Sequence, residues 1–302
     1  MKIPAILFCI MTIILLWNRP FSCRGAGKES GDANREVRIV LDPGHGGEDA
    51  GAADFGVEEK DLNLQIALFL KEELEQYRHV KVFLTRDGDS LLTLPDRTRA
   101  AVEHEAHVLI SLHNNASGPV APYREGCTVL TAQGNYKPDM AYEEQKLACC
   151  ILSELEVLGI RNQGILLRDS ENGTCYEDGS TADYYAIIRN GLNHDVPSIL
   201  IEHAFLDNEE DYRSFLKGEE KIKALAQADA RGIAKYFGLI HRETNQVLPE
   251  LNNYKVVFVH SVDENPDHNI ISEEIFYPSK SIDQRVEDYL KDLFREIKNL
   301  QE

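Results

Sequence analysis

Apolar residues along the chain gather in short blocks separated by segments with a helical repeat. Val37–Leu41, Val80–Leu84, Val108–Leu112, Thr128–Thr131 and Ser198–Ile201 are brief runs dominated by aliphatic side chains, and each predicts a strand. Between the first two, Glu59–Tyr77 sets Leu62, Ile66, Phe69, Leu70 and Leu74 on one face at spacings of three and four, which predicts a helix. Leu94–Glu103, Tyr142–Leu158 and Lys221–Phe237 read as further helices, with Gly159 and Gly238 as stop signals. This alternation predicts an α/β domain over residues 36–240: a mainly parallel twisted sheet with helices on both faces. Residues 168–183, rich in Gly, Ser, Asp and Asn, read as a surface loop.

The two ends follow other patterns. Residues 3–17, IPAILFCIMTIILLW, are unbroken by any charge and follow Lys2. As a helix this run rises about 22 Å, short of a roughly 30 Å hydrocarbon layer. It reads as the core of a signal peptide, with an uncleaved signal anchor as its rival because the cleavage signal is poor. Residues 1–23 are therefore expected to export the chain, leaving it secreted or attached to the outer face of the cytoplasmic membrane. Residues 24–35, RGAGKESGDANR, read as a flexible tether. At the other end, 241–302 form an extension of unassigned role. It holds one apolar run, Val256–Val259, and then a helical stripe of Ile282, Val286, Tyr289, Leu290, Leu293, Phe294, Ile297 and Leu300. Packing of this stripe on the main domain is the expectation, ahead of a second copy or a partner.

Composition narrows the partners. Of 302 residues, 51 are Asp or Glu against 32 Lys or Arg, a formal charge of −19. So acidic a surface repels phosphate backbones, which excludes nucleic acid as a partner. The six cysteines, at 9, 23, 127, 149, 150 and 175, form no C-x-x-C pair, so a cysteine-based zinc or redox motif is absent. Cys149 and Cys150 read as small buried hydrophobes, and a Cys127–Cys175 bridge is compatible with export.

Chemistry-bearing side chains fall where strands end. His45 follows the first strand in VRIVLDPGHGG, His113 closes VLISLHNN, Glu202 closes SILIEHAF, and Glu59 begins a helix in GVEEKDLNL. The carboxyl ends of strands in an open α/β sheet line one crevice, so residues distant in sequence can converge there. Two imidazoles and a carboxylate suit a hydrolytic zinc ion, and a further carboxylate held off the metal can shuttle protons. The assignment is His45, Glu59 and His113 as Zn2+ ligands with Glu202 as general base and acid. Gly44, Gly46 and Gly47 let the backbone present His45. The competing reading, at even weight from the residues alone, makes these satisfied core histidines and solvated glutamates.

The segments LDPGHGGEDAGA, GVEEKDLNLQIA, FLTRDGD, LPDRTRAA, LISLHNNAS and ILIEHAFLDN occur in the order found in zinc-dependent N-acetylmuramoyl-L-alanine amidases of the amidase 3 type, which the chain resembles over residues 36–240. The resemblance implies zinc ligands at His45, Glu59 and His113 and a catalytic carboxylate at Glu202. Glu59 is preferred to its neighbour Glu58 because it directly precedes Lys60-Asp61. The implied function is hydrolysis of peptidoglycan at the amide between N-acetylmuramic acid and the L-Ala of the stem peptide. A zinc peptidase or deacylase acting on another cell-wall amide is the first alternative, and a non-catalytic wall-binding regulator the second. Peptidoglycan is the expected partner; the sequence specifies no protein partner.

Other conspicuous residues receive plainer expectations. His203, next to Glu202 on a strand, faces the opposite way and reads as a core or surface histidine. Arg86 and Arg97 are expected to brace the sheet edge through salt bridges, ahead of contact with substrate. Asn115 is expected to face the crevice with His113. Arg189 is read equally as a carboxylate contact or a structural anchor. The acidic run Asp207–Asp211 reads as a solvated helix start, and helix 142–158 is a candidate cover for the site.

Overall fold

A computed structural model describes residues 36–118, 124–251, 254–261 and 269–276. The N-terminal apolar run and tether, with Cys9 and Cys23, and the C-terminal helical stripe lie outside the described residues. Among the described residues, no helix is long and apolar enough to cross a membrane.

The strands are β1 (Val37–Pro43), β2 (Ala53–Asp54), β3 (Val57–Glu58), β4 (Val80–Leu84), β5 (Val108–Asn115), β6 (Cys127–Leu130), β7 (Asn162–Arg168), β8 (Ser198–Phe205), β9 (Tyr254–Ser261) and β10 (Ile270–Phe276). The main helices are α1 (Glu59–Leu74), α2 (Leu94–Glu103), α3 (Pro138–Val157), α4 (Ala186–Asn193) and α5 (Glu219–Phe237). β2 and β3 form a small hairpin, and the other eight strands form one sheet in the order β10-β9-β7-β6-β8-β5-β1-β4. Five of its pairings are parallel; β6 with β8 and β9 with β10 are antiparallel. The expected mainly parallel α/β architecture is what the chain adopts.

Both faces of the central strands are buried, which explains their continuous apolar runs. In β1, Ile39 and Leu41 join one core and Val40 the other, as the two-residue strand period requires. The larger core sits under α1, α3 and α5 and includes Leu62, Ile66, Leu70, Leu147, Ile151, Leu152, Leu225 and Ile233. The smaller one involves α2 and α4 and includes Ala101, Leu109, Ile187, Ile188, Leu192 and Leu200. Cys149 and Cys150 are buried in α3, as expected, whereas Cys127 and Cys175 are both free thiols, one buried and one exposed, and form no bridge.

Several boundaries move. α1 ends at Leu74 rather than Tyr77. β5 and β8 run on to Asn115 and Phe205, so His113 and Glu202 lie within strands rather than closing them. β7 and α4 were not predicted: β7 opens on the polar Asn-Gln-Gly, and α4 is only eight residues long with a glycine inside it. Helix 142–158 is the body of α3, whose Leu147, Ala148, Ile151, Leu152 and Leu155 are in the core, so it is a structural element and not a cover. The apolar run at 256–259 becomes β9, which pairs in parallel with β7 and so extends the central sheet.

Polar groups fasten the sheet edge near β1. The buried Asp42 carboxylate accepts from Arg97 Nη1 at 2.7 Å, Thr85 Oγ1 at 2.6 Å and Ser111 Oγ at 2.8 Å. Arg97 is braced by a salt bridge, as expected. Arg86 instead donates to the backbone carbonyls of Pro43, Gly44, Lys60 and Gly88. Arg189 is an anchor, donating to the carbonyls of Asp183 and Tyr184. The acidic run is not simply solvated: buried Asp211 accepts from the backbone amides of Gly126 and Phe205. Removing one partner of a buried pair strands the other charge, so Arg97→Ala should lower unfolding free energy by about 3–5 kcal/mol. Urea denaturation with a loss under 1 kcal/mol would show that Asp42 is held well enough by its neutral donors.

Candidate metal centre

β1 delivers the chain into Asp42-Pro43-Gly44-His45, and the turn there is tight. His45 has φ 61°, a left-handed conformation that costs a non-glycine residue energy and that the surroundings must hold in place. Gly44 allows the approach of the neighbouring strand's imidazole: a Cβ on it would lie 2.2 Å from the His113 ring. Gly46, at φ 130°, could not carry a side chain without meeting the Ser90 carbonyl. The predicted role of these glycines therefore has a steric basis.

α1 begins at Glu59 immediately after the β2–β3 hairpin, and its first turn carries Glu59 and Asp61, where negative charge suits the helix dipole. Glu59 is 3% exposed, while Glu58 is exposed and pairs with Lys60. Of the two adjacent glutamates, it is Glu59 that enters the site. Its Oε2 lies 3.2 Å from His45 Nε2 and its Oε1 3.0 Å from His113 Nδ1. The same oxygens accept from the Ala52 amide at 2.9 Å, the Asn114 amide at 3.1 Å and Asn63 Nδ2 at 3.2 Å. Asp49 Oδ2 takes the other ring nitrogen of His45 at 2.8 Å, turning Nε2 inward.

One ligand atom from each of His45, Glu59 and His113 lies within 4.8 Å of the others. A tetrahedral ion with bonds of about 2.0–2.1 Å separates its ligands by about 3.3 Å. The 3.0 and 3.2 Å contacts are close to that spacing, and the donor set is borderline-soft nitrogen plus oxygen, so the residues present fit a divalent metal. Electrostatics agree. A hydrogen bond that the His45 imidazolium donates to Glu59 pushes the His45 pKa up to about 9 despite burial. Burial alone would raise Glu59, but the two imidazoles overcome it and hold Glu59 far below the ordinary carboxylate range.

Glu202 stands on the adjacent strand. Its Cα is the register partner of His113 in the parallel β5–β8 pair, so both side chains leave the same face of the sheet. Glu202 Oε2 is buried without a hydrogen-bond partner. Burial, reinforced by the Glu59 charge and only partly offset by His45, pushes its pKa well above the usual carboxylate range. His203 points the other way into the core, where it is 0% exposed. It bridges Asp229 Oδ2 on α5 at 2.8 Å and the His113 carbonyl at 2.9 Å. The sequence left His203 as a core or surface histidine on the opposite face; the structure puts it in the core, against Asp229, which a helix stripe of alanines conceals.

The amidase 3 family profile, N-acetylmuramoyl-L-alanine amidase, matches residues 39–235. The chain belongs to the amidase 3 family. It is 32% identical over 206 residues to the N-acetylmuramoyl-L-alanine amidase CwlM of Bacillus licheniformis, a match covering 67% of this chain and 70% of that one. It is 30% identical over 205 residues to a sporulation-specific N-acetylmuramoyl-L-alanine amidase of Bacillus subtilis, covering 67% and 69%. Among solved structures, an N-acetylmuramoyl-L-alanine amidase from Clostridium difficile 630 superposes with a TM-score of 0.55 at 26% identity, covering 67% of this chain and 97% of that one. This amidase is thus a peptidoglycan hydrolase by family, with a three-residue cluster that fits a metal ion. The strands β9 and β10 lie beyond the family match.

Two outcomes test the centre. In the metal-free protein His45 keeps its proton at neutral pH, so a metal must displace it. Metal affinity should therefore rise about tenfold per pH unit from pH 7 toward the His45 pKa of about 9 and flatten above it. Calorimetry at pH 7 in buffers of different ionisation enthalpy should read about one proton released per ion; none released would show that His45 gives up no proton when the metal binds. Glu59→Ala and Gly44→Ala should each lower metal occupancy in the purified protein, whereas Glu58→Ala should leave it unchanged. Equal occupancy in the Glu58 and Glu59 variants would reject the cluster.

Proposed function

We propose that this amidase cleaves the bond between N-acetylmuramic acid and the L-Ala of the stem peptide, using zinc held by His45, Glu59 and His113 and a proton carried by Glu202. The observation that supports it most is the placement of Glu202: a half-buried side chain whose Oε2 is buried and unpartnered, in register with His113 and within electrostatic reach of Glu59 and His45. Zinc bound there supplies Lewis acidity, polarising the scissile carbonyl and making water acidic near neutral pH.

The chain's own residues do the rest. Asp49 fixes the His45 ring through Nδ1, and the Ala52 and Asn114 amides fix the Glu59 carboxylate, so the ligands are held before a metal arrives. Glu202 accepts a proton from the attacking water at a carboxylate oxygen and delivers it to the departing amine. Its raised pKa suits this exchange, because a stronger base takes the proton and the acid form persists long enough to give it up. An amide nitrogen leaves poorly unless protonated, so the return of that proton is as necessary as its removal. Export is part of the same proposal. Its substrate lies outside the cytoplasmic membrane, and the apolar run at 3–17 provides the means to reach it, by cleavage or by membrane attachment.

The direct test digests purified peptidoglycan with the full chain and identifies products by mass spectrometry. Stem peptides with a free L-Ala amino terminus are expected, lost with a chelator and restored by zinc. Cuts elsewhere in the stem would favour the peptidase alternative instead. Glu202→Gln should lower kcat by about 10²–10⁴-fold with zinc content unchanged. Retained turnover would remove Glu202 from the mechanism, and lost zinc would make it a ligand.

A further inference from the structure

The sheet is not covered evenly. α2 and α4 bury the second face over β1, β5 and β8, but along β7, β9 and β10 that face opens into a cavity of about 510 Å³, within the roughly 300–1,000 Å³ range of ligand sites. Alternation along the strands makes it. Ile165 and Leu167 of β7 and Val256 and Phe258 of β9 point into the large core, while Leu166, Arg168, Val257, Val259 and Ser261 line the cavity. Val257, Val259 and Ser261 of β9, Ile271 of β10 and Asn269 just before it therefore supply part of its wall from beyond the family match.

Its charge is the reverse of the chain's. In a protein with 19 more acidic than basic residues, Arg124, Arg161 and Arg168 line this cavity, and among the described residues no Asp or Glu does. Arg168, whose side chain is 10% exposed, lies 3.8 Å from the Tyr184 ring centroid and pairs with Glu171 outside the lining. Arg161 pairs with Glu125 at 2.9 Å, and Arg124 has no carboxylate partner among the described residues. Asn269, also in the lining, holds a buried Oδ1 with no donor. The cavity thus offers guanidinium donors for an anion and an unsatisfied acceptor for an N–H, above an aliphatic floor. A peptide bearing carboxylates supplies all three complements.

The cavity is contiguous with the catalytic face. Thr128, in its lining, is the register partner of Glu202 in the antiparallel β6–β8 pair, and Asn115 follows His113 by two residues on β5. Tyr185, which also lines it, feels the Glu202 charge. We infer that this cavity is the subsite for the carboxylate-bearing stem peptide, with Arg124 and Arg161 reading its free carboxylates and β9–β10 completing the wall. The inference rests on the amidase reading above.

The test compares the full chain with Arg124→Gln, Arg161→Gln and the double variant; both positions are solvent-accessible, so folding is not at stake. Substrates are a soluble muramoyl tetrapeptide with free carboxylates and its carboxamide counterpart. Each arginine lost should raise KM for the free-carboxylate substrate about tenfold, the equivalent of one charge-assisted hydrogen bond, with kcat unchanged. The carboxamide substrate should show no change. Equal KM across variants, or the same loss on both substrates, overturns the subsite while the amidase reading stands. Calorimetric titration of the free tetrapeptide into the same proteins reads the cavity without turnover. Binding weakened in the double variant supports the subsite even if no substrate is cut, an outcome that would reject the amidase reading alone. No binding to the unaltered chain rejects the subsite.

Discussion

The burial of one carboxylate, Glu59 at the first turn of α1, is the constraint on which the site depends. An ionised group taken out of water must be compensated on the spot or it protonates. Here the compensation comes from three directions: His45 at the end of β1, His113 on β5, and the amides of Ala52 and Asn114. These groups come from the end of β1, from β5 and from the segment leading into the β2–β3 hairpin, so the carboxylate stays charged only when strands, hairpin and helix are all in place. The arrangement that holds a charge in the metal-free protein is also one that presents two nitrogens and an oxygen to a cation.

The same economy explains which glycines and anchors sit around the centre. β1 and β5 are adjacent and parallel, and the His113 ring occupies the space where a side chain on residue 44 would stand. Arg86 and Arg97 saturate carbonyls of Pro43, Gly44 and His45, holding the turn that gives His45 its left-handed backbone. From beneath, His203 ties the His113 carbonyl to Asp229 on α5. His113, a candidate metal ligand on a strand, is thus connected to the helix layer through a buried imidazole, and its position is set by core packing as well as by the ladder.

Much of this was legible in the sequence because strand and helix periods are local. β4 and α2 fall at the expected residues, and the four chemistry-bearing side chains sit on or beside the expected elements. What sequence could not supply was pairing. The register that sets Glu202 beside His113 joins segments 89 positions apart, and only the folded sheet reveals that both lie inside strands. β7 escaped because its apolar part is three residues long, and its place in the sheet depends on Gly164 lying against the β9 backbone, where a Cβ would be 2.0 Å from the Val257 carbonyl. Asp211 looked like part of a solvated acidic run, yet the amides of Gly126 and Phe205 bury it. In each case the missing information was a long-range partner.

The features that serve chemistry are those that serve stability least. An unpartnered buried carboxylate oxygen costs about 1–3 kcal/mol or more, and a left-handed histidine of order 1–3 kcal/mol. Glu202 and His45 carry these costs side by side, against a sheet whose remaining central strands are apolar and locally consistent. Folding alone gives no reason to keep either. The roles proposed for them would give one: a proton acceptor must not be neutralised by the protein's own donors, and a ligand must be held where substrate and metal meet. The Asp42–Arg97 pair and the two-layer helical cover provide the rigidity that lets the strained turn and the lone acid persist.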